Sequence, residues 1–165
     1  MQTFRTKLSQ VETALQDAAV YCGHGYESVS DEAVALVLGA AGLTPEQPLS
    51  LLDQPFPGEA GSQLAALLDQ RCHHRVPVAY CLKEAYLAGL RFIADPRALI
   101  PRSPLSHVVA ERLTPWWPED QEPALIVDVC CGGGSLGLVA AEAFSKATVL
   151  LSDLDEQALS LASEN

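Results

Sequence analysis

The residues whose types and spacing could do chemistry lie between Leu125 and Ala141, in "LIVDVCCGGGSLGLVAA". Gly132, Gly134 and Gly137 satisfy G-x-G-x-x-G, and Asp153 follows Gly132 by roughly 20 residues at the end of "TVLLSD". A strand, a glycine turn and a helix in this order let the backbone approach a nucleotide-like ligand. The helix N-terminus offers free N–H groups, and the acid on the next strand accepts hydrogen bonds from ribose hydroxyls. These features alone suit a dinucleotide and other adenosine-bearing cofactors equally. Asp128, four residues before Gly132, separates them. A carboxylate beside the turn repels a pyrophosphate and attracts a sulfonium ligand carrying an α-amino group. The alternative for Asp128 is a plain strand-end turn former.

Other chemistry is sparse. His24, His73, His74 and His107 are scattered, no G-x-S-x-G elbow occurs, and no His or Cys group has metal-ligand spacing, so no catalytic residue and no metal are assigned. His73 and His74 are expected to be partners of a helix C-terminus rather than ligands. Cys22, Cys72, Cys81, Cys130 and Cys131 are odd in number and lack a Cys-x-x-Cys pair, which predicts free thiols.

The elements that must position the glycine turn come in three stretches. In residues 1–75, Phe4, Leu8, Val11, Leu15 and Ala19 recur at helical spacing. Ser28 with Asp31 resembles a capping box before "EAVALVLGAAGL", and Leu64, Leu67, Leu68 and Cys72 share one face of "SQLAALLDQRCHHR". This predicts a small helical bundle. Residues 76–122 read as a connector: "VPVAYCLKEAYLAGLRFIADPRALI" suggests short extended pieces or a hairpin, and Ser103-Pro104 caps a helix that Pro115 ends. Residues 123–165 read as strand, glycine turn, helix, strand, helix.

Of the 165 residues, 48% are hydrophobic, enough to bury a core, while the apolar run Ala33 to Leu43 falls well short of the roughly 20 residues that span a bilayer. No signal-peptide pattern opens the chain, so a cytoplasmic protein with no membrane partner is expected. The net charge of −11 argues against direct binding to nucleic acid and favours a basic partner. Six of the ten basic residues, Arg71, Arg75, Lys83, Arg91, Arg97 and Arg102, fall in one segment opposed only by Glu84 and Asp95, and are expected to form a solvated connector face.

The order "DVCCGGG" resembles motif I of class I S-adenosylmethionine-dependent methyltransferases, with Cys130 where many of them have glycine. "RVPVAYCLKEAYLAGLRFIADPRALIPRSP", "DVCCGGGSLGL" and "SDLDEQALSLASEN" resemble the HemK-type protein glutamine N5-methyltransferases. "GHGYESVSDEA", "PRSP" and "LTPWW" look like the branch that acts on the large-subunit ribosomal protein uL3. The resemblance runs through the whole chain. It implies an α/β fold: a helical substrate-recognition domain (1–75), a connector hairpin and linking helix (76–122), and the start of a Rossmann-like S-adenosylmethionine-binding domain (123–165) that stops after its second strand–helix unit. It further implies that Asp128, Cys130, Gly132 and Gly134 line the methionine side of the cofactor, with Asp153 on the ribose and Leu154 against the adenine. Pro101 and Arg102 approach the methionine end, or simply form a rigid turn. Cys131, Gly133 and Cys81 depart from the family's usual residues.

In that family an Asn-Pro-Pro-Tyr tetrad holds the amide nitrogen for transfer. The only asparagine here is Asn165, so these 165 residues contain no such tetrad, and the chain alone is expected to be inactive and to bind cofactor weakly. An unpaired sheet edge is then open to self-association. Two other readings are kept: a nicotinamide-dependent oxidoreductase fragment using the same glycines and Asp153, and a non-catalytic protein-binding remnant of a methyltransferase.

Overall fold

The computed structural model describes residues 2–165, which divide into two compact units, one ending at Leu82 and the other running Lys83–Asn165. The first unit is helical. Helix α1 (Phe4–Asp17) starts where the Thr3 hydroxyl accepts from the N–H of Thr6, and buries Phe4, Val11 and Leu15. Ala19 does not extend that face: the helix ends at Asp17, and Ala19 has φ +49 and is exposed. Helix α2 (Val29–Ala40) opens on the expected box, in which Ser28 Oγ accepts from Asp31 N–H at 3.1 Å and donates to the Asp31 carboxylate at 2.7 Å. Helix α3 (Ala60–Cys72) turns Leu64 and Leu67 inward.

The stretch "VAYCL" forms a short helix, α4 (Val78–Leu82), where extended structure was expected. Pro77 starts it, since a proline lacks the N–H that a first turn leaves unbonded and its carbonyl receives the N–H groups of Tyr80 and Cys81. Because α4 packs on α2 and α3, the helical unit extends past residue 75 to Leu82. Leu15, Leu36, Val37, Leu67 and Val78 form its closed apolar core, with Phe4 edge-on to Phe56 at 5.2 Å. Within it lies a buried ion pair. Arg71 donates from Nε and Nη2 to the two oxygens of Glu32 at 2.7 and 2.8 Å, and its Nη2 also donates to the Tyr21 carbonyl. Arg71 is therefore no part of a solvated basic face; its side chain is 4% exposed.

The second unit opens with an antiparallel hairpin, β1 (Glu84–Leu87) and β2 (Leu90–Ile93), turned by Ala88 and Gly89, both at positive φ as a tight two-residue turn requires. Helix α5 (Leu105–Ala110) begins near Ser103, whose hydroxyl accepts from Leu105 N–H at 3.3 Å. It stops short of Pro115 because Arg112 and Leu113 both take positive φ. Strand β3 (Leu125–Val129) then leads through the glycine turn into α6 (Ser135–Ala143), and β4 (Thr148–Ser152) into α7 (Glu156–Glu164). The two strands are parallel, with Leu125 opposite Thr148 and Val129 opposite Ser152.

One face of this sheet, carrying Asp128 and Leu151, is covered by α6. The other presents Leu125, Val127, Val129 and Leu150 to solvent. A parallel sheet normally buries both faces, so this bare apolar face is the unit's least settled feature. Among the described residues the fold is mixed α/β, and no helix is long and apolar enough to cross a membrane.

Candidate functional site

The glycine turn is shaped by left-handed backbone. Cys130, Gly132 and Gly134 have φ of +59, +54 and +79. Glycine adopts this region freely, whereas a side chain costs about 1–2 kcal/mol, which gives a physical reason why glycine suits position 130. Gly137, in the first turn of α6, suits its position for a different reason. A Cβ there would sit 2.2 Å from Leu151 Cδ2 and 3.3 Å from Asp128 Cβ, so the missing side chain leaves Leu151 and Asp128 their places under α6.

That close approach puts a hydrogen bond at the centre of the site. Asp128 Oδ2 accepts from the Gly137 N–H at 2.9 Å, so the third glycine of the fingerprint spends its amide on a carboxylate from the same chain. In a dinucleotide site the N-terminal amides of this helix face the pyrophosphate. Here a negative charge already stands among them.

Asp153, at the end of β4, is drawn in similarly. Its Oδ1 accepts from Asp155 N–H at 3.0 Å and its Oδ2 from Gly132 N–H at 2.8 Å. These backbone donors, Asp155 first, hold its carboxyl below the usual carboxylate range. A carboxylate accepts about four hydrogen bonds, so capacity remains for a ligand hydroxyl. Leu154 beside it is fully exposed.

Between the glycine turn and the segment 99–103 lies a groove of about 350 Å³. Asp128, Cys130 and Gly132 line it, and so do Pro101 and Arg102 from the opposite side. Gly134, Asp153 and Leu154 are not among its lining residues. Gly134 instead lies under Leu151 and Ala162, and Asp153 joins the site through Gly132. The buried Cys131 also lines the groove, and burial raises its thiol pKa. Sequence reasoning missed two contributors. Asn165 donates from Nδ2 to the Gly133 carbonyl at 3.0 Å, and Arg97 joins Asp95 to Glu164 on α7. Neither belongs to a glycine motif, and only their contacts identify them.

In the first unit, His73 and His74 both face the Asp69 carboxylate, at 2.8 and 3.5 Å, and the His73 bond leads in lowering the Asp69 pKa. All five cysteines are free, and among the described residues no group of three or more His, Cys, Asp or Glu is placed to hold a metal.

No protein-family model matches the sequence. The chain is 36% identical over its 165 residues to the ribosomal protein uL3 glutamine methyltransferase of Bordetella pertussis, covering all of this chain and 55% of that protein. It is 34% identical over 146 residues to the protein of that name in Francisella tularensis (88% of this chain, 46% of the relative), and 37% over 150 residues to that of Xylella fastidiosa (90% and 47%). The chain thus matches the N-terminal portion of the uL3 glutamine methyltransferases along its whole length, and spans about half the length of these curated relatives.

Proposed function

We propose that this chain carries the helical unit and the first half of the cofactor site of an S-adenosylmethionine-dependent methyltransferase, one that methylates the N5 nitrogen of a glutamine in ribosomal protein uL3. The second unit is read as the start of a Rossmann-like cofactor domain. The observation that carries the choice of cofactor is the Asp128 bond to the Gly137 amide. It places a carboxylate where a nicotinamide dinucleotide would bring its phosphates, and that repulsion disfavours the oxidoreductase reading. A cationic methionine end gains from the same charge.

When bound, S-adenosylmethionine supplies a methyl group on a positively charged sulfur. The chain's own residues have simpler tasks. Asp128 offers its remaining acceptor capacity to the α-amino group, the left-handed backbone at Gly132 keeps side chains out of the way, and Asp153 accepts from ribose hydroxyls while staying ionised. Leu154, exposed at the mouth of α7, offers an apolar surface for the adenine. Pro101 and Arg102 close the opposite side of the groove. An amide nitrogen is a weak nucleophile, so transfer depends on positioning it in line with the methyl group, and these 165 residues contain no Asn-Pro-Pro-Tyr tetrad for that task.

The partner is a basic ribosomal protein, encountered in the cytoplasm and attracted by the net charge of −11. Mass spectrometry of uL3 from cells with and without the gene tests the function. One methylated glutamine is expected to disappear with the gene, and to stay absent when the gene carries Asp128→Asn. An unchanged uL3 would contradict the proposal.

A further inference from the structure

The carboxamide of Asn165, the sequence's single asparagine, joins two separate stretches of the second unit. Its Oδ1 accepts from the Ile93 N–H at 2.7 Å, and its Nδ2 lies 3.5 Å from the carbonyl of the same residue, so the side chain pairs with the end of β2 as a neighbouring strand would. The same Nδ2 donates to the Gly133 carbonyl at 3.0 Å, in the middle of the glycine turn. No other side-chain type of this length offers both a donor and an acceptor in one rigid plane.

A second link runs alongside. Arg97 donates from Nε and Nη2 to Asp95 at 3.0 and 2.7 Å, and from Nη1 and Nη2 to the Glu164 carboxylate. Arg97 stands four residues before Pro101, so it anchors the segment that forms one wall of the groove, while Gly132 and Gly133 form the other. Both walls are therefore tied to the last turn of α7, one through Ile93 and Arg97, the other through Gly133.

We infer that the last turn of α7 is a strut that fixes the width of the groove, with Asn165 as its positioning residue and the Arg97–Glu164 pair as its brace. The assignment of the groove to a cofactor rests on the reading above; the strut itself rests on the hydrogen bonds alone. Asn165 touches no reacting atom in this account. It acts by holding the glycine turn at a set distance from the wall that bears Pro101 and Arg102.

The five thiols make the strut measurable. Cys131 is buried and lines the groove, Cys130 is exposed beside it, and Cys22, Cys72 and Cys81 report on the first unit. Alkylation rates of all five, resolved by mass spectrometry, are compared in the wild-type chain, Asn165→Ala, Asn165→Asp and Ser163→Ala. The last removes an exposed hydroxyl that bonds only within α7. Cys131 is expected to react at least about fivefold faster in Asn165→Ala. Asn165→Asp should behave similarly, since a carboxylate cannot donate to Gly133, whereas Ser163→Ala should leave the rate unchanged. The three thiols of the first unit should stay at wild-type rates throughout. An unchanged Cys131 rate in Asn165→Ala overturns the strut, and so does a common rise of all five thiols, which would mean general loosening. Millimolar S-adenosylhomocysteine should slow alkylation of Cys130 in the wild type. If it does not, the cofactor reading fails while the Cys131 comparison still decides the strut.

Discussion

The two units solve the problem of stability differently. The first closes an apolar core around one buried ion pair, with Glu32 and Arg71 each satisfied by two-point contact. The second also buries apolar side chains, among them Phe92, Ile100, Val139, Phe144 and Leu161, and adds polar links around its glycine turn: Asp128 to Gly137, Asp153 to Gly132, Asn165 to Ile93 and Gly133, Arg97 to Asp95 and Glu164. It also leaves Leu125, Val127, Val129 and Leu150 uncovered. The contrast teaches that a glycine turn can be held by several hydrogen bonds from across its unit while one face of the sheet beneath it stays bare.

The strongest way to break this comparison is at the buried pair. Glu32→Ala leaves the Arg71 charge without its partner, and about 3–5 kcal/mol of destabilisation is expected, read as a lower denaturant midpoint for the first unit with the Cys130 alkylation rate unchanged. Next is Gly137→Ala, whose Cβ would collide with Leu151. About 1–3 kcal/mol is expected, confined to the second unit, as Leu151 shifts and Asp128 gives way, with faster hydrogen exchange of the Gly137 amide.

Acid provides a third test. Backbone donors hold Asp153 below its ordinary pKa, and Arg97 does the same for Asp95 and Glu164. Their contribution is complete above the unfolded pKa values and is lost as pH falls through the lower folded ones. Melting temperature of the second unit should therefore drop on acidification below about pH 4, and Arg97→Met should flatten that dependence. Replacing Val127 and Leu150 together by threonine tests the bare face. Stability should change by no more than about 0.5 kcal/mol per site, while self-association, followed by sedimentation, should fall. A small effect of opposite sign is expected for Cys130→Gly, which relieves the left-handed side chain and should stabilise the turn by about 1 kcal/mol or less.

Local signals were legible in the sequence where they act over a few residues. The Ser28–Asp31 box, the inward face of Leu64 and Leu67, a hairpin within the connector stretch and the strand–glycine–helix order all appear as expected. What pattern could not show is pairing at a distance. Arg71 reads as one more exposed cation until Glu32, 39 residues away, is placed beside it. "VAYCL" reads as extended until its packing on α2 and α3 fixes it as a helix. Helix α5 ends early because Arg112 and Leu113 turn left-handed. Arg112 then reaches the Ala143 carbonyl and stacks over Phe144 at 4.6 Å, contacts that residue types in the sequence do not announce. At the site, the acid before the turn was visible as a choice between ligands. Its bond to Gly137, which argues for one of them, emerges only from the way α6 sits on the strands.

The central claim is that the glycine turn and its acid form half of an S-adenosylmethionine site and not a dinucleotide site. Titration of isotope-labelled protein by NMR tests it most directly, because weak binding still shifts amide resonances. S-adenosylhomocysteine is predicted to shift the amides of Gly132, Gly133 and Asp153, with the effect lost in Asp128→Ala, while NAD leaves them in place. Shifts produced by NAD and not by S-adenosylhomocysteine would contradict the account.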